Sequence, residues 1–168
     1  MEKKKTGFDG RTNASDEWYT PKYILENLGT FDLDPCTGSA RPFDIAKISF
    51  TKTENGLAQN WIGRVWCNPP YGINTKIWLA RMSEHQNGIA LIFARTETKM
   101  FFDYIWNHAS GILFLRGRIS FLNADGSRGK YSGGAPSCLV AWGSDNAKAL
   151  ENCGLIGKYI SLAGASKC

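Results

Sequence analysis

Apolar positions along this chain change period from segment to segment, and those changes outline its elements. Ile24, Leu25 and Leu28 recur at helical spacing behind Pro21, and Gly29 stops the run. That pattern predicts a short helix entered at the proline. Brief apolar runs bounded by turn residues predict strands at Thr30–Leu33, Arg64–Cys67, Gly88–Phe93, Gly111–Leu115, Ile119–Leu122 and Ser137–Trp142. Ile45–Phe50 reads as a weaker strand or a loop. Thr75–Met82, with Trp78 and Met82 on one face, and Lys99–Asn107 predict two further helices. Strands alternate with helices early and cluster late, which predicts an α/β sheet with an antiparallel edge. Residues 1–15 carry no apolar period and predict a flexible basic N-terminal arm ahead of one domain over 16–168.

Composition narrows the class. A hydrophobic share of 43% and a charged share of 21% over 168 residues fit a globular domain with a real core. A net charge of +5 suits a polyanionic partner. The five cysteines (Cys36, Cys67, Cys138, Cys153 and Cys168) are odd in number and form no CxxC pair, against a disulfide framework and against a zinc site. Reduced thiols point to a cytoplasmic protein. No apolar run reaches membrane-spanning length. Lys3-Lys4-Lys5 is followed by polar residues rather than an apolar signal core.

Chemistry concentrates at Asn68-Pro69-Pro70-Tyr71, directly behind the apolar run Val65-Trp66-Cys67. Two prolines fix φ and remove two donors, and each pushes the residue before it toward extended backbone. The strand therefore ends in a stiff corner that presents an amide, a free carbonyl and an aromatic ring. Such a corner suits a flat molecule bearing an NH2 group. A plain rigid turn, or a proline-rich ligand of a WW-type domain, uses the same residues. Asp34-Pro35-Cys36-Thr37-Gly38-Ser39-Ala40 is a second candidate, because a glycine-bearing turn after a strand lets backbone approach a ligand closely. Asp-Pro with a nearby Gly is equally an ordinary turn.

The order Trp18-Tyr19-Thr20-Pro21, then Asp34 to Ser39, then Asn68-Pro69-Pro70-Tyr71 resembles that of S-adenosylmethionine-dependent adenine methyltransferases. More closely, the chain resembles the small phage-type DNA N6-adenine methyltransferases over about residues 16–143. The shared features are Asp16-Glu17-Trp18-Tyr19-Thr20-Pro21, Asn55-Gly56-Leu57 before Trp61, Trp66-Cys67-Asn68-Pro69-Pro70-Tyr71, Gly117-Arg118-Ile119-Ser120-Phe121 and Gly134-Ala135-Pro136. The cofactor loop departs from the larger enzymes at Thr37, Ala40 and Arg41.

The resemblance implies a Rossmann-like class I methyltransferase fold, a mostly parallel twisted sheet with helices on both faces. It also implies methyl transfer from S-adenosylmethionine to adenine N6 in double-stranded DNA, with the base swung out of the duplex. Asn68, Pro69, Pro70 and Tyr71 would be catalytic. Trp18, Tyr19, Thr20, Pro21, Asp34, Pro35, Cys36, Gly38, Asp44 and Asn55 would meet the cofactor, Asp34 at the methionine amino group and Asp44 at the ribose hydroxyls. Read without the resemblance, Thr20 is a helix N-cap, Asp34 a turn cap, Asp44 a solvated loop acid and Asn55-Gly56 a turn. Trp18 and Trp61 are either pocket walls or core.

Candidate DNA contacts are Lys3, Lys4, Lys5, Arg95, Arg118, Arg128 and Lys130, the last two in a glycine-rich loop over 123–134 that also reads as a plain solvated hairpin. No metal is expected, no membrane partner, and a monomer or homodimer in a bacterial host. The chain leaves no room for a separate target-recognition domain. Restriction–modification is one setting for such an activity. Two other outcomes use the same residues: methylation of another amino group (an RNA adenine or a protein glutamine), or a DNA-binding module with a decayed pocket.

Overall fold

The computed structural model describes residues 18–129 and 133–162; the predicted arm 1–15, with Lys3, Lys4 and Lys5, and also Lys130, lies outside them. The strands are β1 (Phe31–Asp34), β2 (Ala46–Ser49), β3 (Val65–Cys67), β4 (Gly88–Phe93), β5 (Gly111–Leu115), β6 (Ser137–Trp142) and β7 (Gly157–Ser161). The helices are α1 (Lys22–Glu26), α2 (Thr75–His85), α3 (Lys99–Phe101) running into a π-helical turn at Phe102–Trp106, and α4 (Ser144–Asn152). One sheet holds all seven strands in the order β2-β1-β3-β4-β6-β5-β7. The β2-β1-β3-β4 block is parallel, and β6, β5 and β7 join it through antiparallel pairings.

The apolar runs in β3, β4 and β6 are unbroken because both faces of the sheet are covered. Successive side chains point to opposite faces, so each run divides between two cores. Val65, Cys67, Ala90, Ile92, Val140 and Trp142 share one core with Leu79 and Met82 of α2 and with Phe101 and Ile105. Trp66, Ile89, Leu91, Leu139 and Ala141 share the other with Ile24 and Leu25 of α1 and with Ala147 and Leu150 of α4. Helices thus pack on both faces.

Parallel strands are usually joined through a helix. Here residues 35–45 and 50–64 join β1 to β2 and β2 to β3 without one. Both links start at the carboxyl edge of the sheet, where Asp34 pairs with Ser49 in register. Cys67 and Phe93 end their strands at this edge as well. β5 runs in the direction of β4, since both are antiparallel to β6, so residues 116–118 leave the sheet on the same side.

Three expectations are corrected. Ile119–Leu122 is not a strand of the sheet: Gly117, at φ 81°, turns the chain away, and Leu122 makes isolated bridges to Tyr19 and Arg128. The helix at 99–107 is α-helical only over its first three residues. The helix begun at Thr75 runs on to His85, where Gln86 stops it in left-handed backbone. α4 and β7 add two elements to those expected from the pattern. Among the described residues no helix is long and apolar enough to cross a membrane, and no cluster of side chains suits a metal ion.

Candidate active site

The corner after β3 is held from several sides. Thr75 at the start of α2 donates its hydroxyl to the Pro70 carbonyl at 2.8 Å. The Asn68 side-chain NH2 donates to the Trp18 carbonyl at 2.7 Å, which fixes the amide and turns Oδ1 away as an acceptor. The Asn68 backbone N–H is directed at the Cys36 sulfur, which lies 3.7 Å from the Cys67 sulfur. The Pro69 carbonyl receives no hydrogen bond among the described residues. Tyr71 stacks on Phe93 at 4.1 Å between centroids and meets the edge of Phe121 at 6.0 Å. Its hydroxyl sits 3.4 Å from Asn68 Oδ1. Burial raises the Tyr71 hydroxyl above the ordinary phenol range, so it remains a protonated donor and is not a base at neutral pH.

The turn after β1 faces this corner. Asp34 is buried and accepts the Cys36 N–H at 3.1 Å. Burial pushes its carboxyl up to about 7 despite that bond, one from Thr37 and the attraction of Arg41. The turn is tied to β2 by Phe50 N–H to the Asp34 carbonyl at 2.8 Å and Thr37 N–H to the Phe50 carbonyl at 3.0 Å. Gly56 lies so close to the Pro35 carbonyl that a Cβ there would stand 1.8 Å from it. Trp61, a core residue, holds the Gly56 carbonyl through its ring N–H at 2.8 Å.

Tyr19 joins two further segments. Its ring covers Gly38, where a Cβ would strike the phenol, and its hydroxyl accepts the Ala40 N–H at 3.2 Å. Its backbone exchanges hydrogen bonds with Leu122. Leu122 belongs to a tight hairpin over 121–129, closed by Gly129 N–H to the Phe121 carbonyl at 2.8 Å and Asn123 N–H to the Ser127 carbonyl at 2.9 Å. The glycine-rich loop of the sequence is therefore ordered over this stretch.

Together these segments enclose a cavity of about 830 Å³. Asn68, Pro69, Pro70, Tyr71, Trp18, Tyr19, Thr20, Asp34, Pro35, Cys36, Gly38 and Asn55 all line it. The Thr20 hydroxyl and the Trp66 ring N–H are buried on this lining without a hydrogen-bond partner among the described residues. Buried polar atoms of this kind normally have one, so a ligand with polar groups fits here. α1 takes Pro21, not Thr20, as its cap residue, and Pro21 lies behind the lining. Asp44 is not among the residues that line the cavity, although its neighbour Ile45 is; it is exposed and pairs with Arg41 at 2.8 Å. At the carboxyl end of β2 the lining residues are Thr51 and Lys52, which the sequence reading passed over with Ile73, Asn74 and Ile77. Their signal was position, just after a parallel strand and just after the corner.

Arg95 follows β4 on the edge that carries the cavity and is exposed. Arg118 lies beyond β5 on that edge, in a separate recess. Arg128 leaves the hairpin and donates to the Ser120 hydroxyl at 3.2 Å. No curated protein and no solved structure matches the chain. A model of the family described as DNA N-6-adenine-methyltransferase (Dam) matches residues 9–153. That span takes in every segment of the cavity, so the chain belongs to the DNA N-6-adenine-methyltransferase (Dam) family and is an enzyme that methylates adenine N6 in DNA.

Proposed function

We propose that this enzyme takes its methyl group from S-adenosylmethionine and that the target adenine, flipped from double-stranded DNA, enters the cavity at Asn68–Tyr71. The observation that carries the reading is the fixed Asn68 amide: its NH2 donates to the Trp18 carbonyl, and its oxygen, which takes the Tyr71 hydroxyl at 3.4 Å, keeps a second lone pair to accept with. Adenine N6 is a poor nucleophile while its lone pair is delocalised into the ring. Asn68 Oδ1 and the Pro69 carbonyl each accept one N6–H and favour a tetrahedral nitrogen with a localised lone pair. Held in place beforehand, these acceptors need no reorganisation during the reaction. Tyr71, stacked on Phe93 and met by Phe121, lines the cavity beside the base.

S-adenosylmethionine, when bound, supplies an electrophilic methyl on a sulfonium. The residues that fit it are Asp34, whose buried carboxyl suits an ammonium group, and Thr20, whose buried hydroxyl lacks a partner among the described residues. Gly38 and Gly56 let the Tyr19 ring and the Pro35 carbonyl pack closely, and the cavity they line with Cys36 and Asn55 takes the rest. The strand order, with β1, β3 and β4 side by side and β6 reversed, supports a Rossmann-like methyltransferase fold. Arg95, Arg128 and the hairpin over 121–129 meet the duplex. The setting we infer is a methyltransferase domain, monomeric or dimeric, encoded by a phage or prophage and working in a bacterial cytoplasm, with protection from restriction as one use.

Labelled-methyl transfer to DNA, RNA and protein in parallel tests this. The expected result is label on DNA alone, at N6 of adenine, entering about 10²- to 10³-fold more slowly with Asn68→Ala. Label on RNA or on glutamine instead would replace the substrate.

A further inference from the structure

The recess that holds Arg118 is separate from the cavity and has a character of its own. Its volume is about 360 Å³, and Tyr23, Asn27, Arg116, Arg118, Ile119 and the 154–156 turn form its walls. Among the described residues no carboxylate lines it. Neither arginine has an acidic partner among the described residues, and both are exposed. Tyr23 on α1 is 54% exposed and Ile156 is 70% exposed.

The recess is built, not a loose surface. Arg116 N–H is bonded to the Ile156 carbonyl at 2.9 Å, and Gly117 then turns the chain so that Arg118 follows on the same rim. Asn27 bonds its side chain back to the Tyr23 carbonyl at 2.6 Å. Two solvated cations on a held backbone, beside an exposed aromatic ring, match a phosphodiester backbone, with guanidinium forks on phosphate oxygens and the ring against a sugar. Position agrees with this. Residues 116–118 leave the sheet on the edge that carries the cavity. Three residues on, at most about 11 Å along the chain, Phe121 touches the Tyr71 ring.

We propose that this recess binds the DNA backbone a few base pairs from the flipped adenine, with Arg116 and Arg118 on phosphates and Tyr23 beside them. The proposal rests on the reading of the cavity as the adenine site.

The test compares the parent with Arg116→Ala/Arg118→Ala, Arg116→Lys/Arg118→Lys and Tyr23→Ala, using a labelled 30-base-pair duplex over a salt series. The double alanine variant should raise KM for DNA about tenfold and flatten the slope of log affinity against log salt by about 1.8. Its affinity for S-adenosylmethionine should stay at the parent value. The double lysine variant should restore the slope. Tyr23→Ala should weaken binding a few-fold with the slope kept. A double alanine variant with the parent's KM and slope overturns the recess while leaving the adenine site standing. A lower rate with an unchanged slope gives it a structural role and overturns it too. A parent that neither binds nor methylates DNA overturns both.

Discussion

The parallel and antiparallel halves of the sheet divide the work differently. In the β2-β1-β3-β4 half, short strands end in turns packed tightly on one another, and a buried carboxyl and an immobilised amide face one cavity. In the β6-β5-β7 half, the outer strand is exposed over most of its length and the chain beyond β5 carries exposed arginines. The first half holds groups in place at the cost of desolvation; the second offers solvated charge. Chemistry on a base demands the former and tracking of a polyanion the latter.

Packing gives the sharpest contrast. Trp66→Ala should cost about 3–5 kcal/mol in denaturant unfolding, since Trp66 on β3 is fully buried. Ile160→Ala on β7 should change stability by less than about 0.5 kcal/mol, because Ile160 is 40% exposed at the sheet edge. Equal costs would erase the distinction between the halves.

Next in size is the amide. Asn68→Ala should lower the rate of methyl transfer about 10²- to 10³-fold. Its effect on cofactor affinity by calorimetry should be within a few-fold, since Asp34 and Thr20 remain. A loss confined to affinity would move Asn68 from chemistry to binding.

The Asp34 carboxyl makes the parallel half sensitive to pH. Its value of about 7 in the folded chain lies above the ordinary 3.8, so between those limits the folded state keeps a proton that the unfolded state has released. Stability of the free protein should therefore fall as pH rises through that window and level off above about 7. Cofactor affinity should do the reverse, weakening about tenfold per pH unit below 7 as the carboxylate is lost. Asp34→Asn should flatten both profiles in thermal melts and calorimetry. A parent whose affinity ignores pH from 5 to 8 would remove Asp34 from the ammonium site.

Smallest is Arg128→Ala in the hairpin. Losing one exposed charge should raise KM for DNA a few-fold and lower the salt slope by about 0.9. An unchanged slope would leave the hairpin as a roof only.

The sequence was most legible where one residue type settles the backbone. Pro69 and Pro70 behind an apolar run specified the corner, and Asp34-Pro35 with Gly38 the facing turn, because these residues restrict φ or permit close approach locally. α4 was hidden because few of its residues, chiefly Ala147 and Leu150, face the core. β7 was hidden because an edge strand exposed on most of its length has no apolar alternation. The run Ile119–Phe121 looked like a strand because Ile119 and Phe121 are buried, yet they pack under Tyr71 and Trp18 rather than pair in the sheet. Asp44 lies in the helix-free link from β1 to β2, exposed and paired with Arg41, beside the lining residue Ile45. Arg116 and Tyr23, nearly a hundred residues apart, become neighbours only through the packing of α1 beside the chain leaving β5.

Tyr19 gives this small enzyme a hinge pin. One phenol stops the loop at Gly38 and Ala40, while the same residue's backbone clips the hairpin at Leu122. The loop and the hairpin cannot part without breaking a contact made by that one residue, so two walls of the cavity depend on it together.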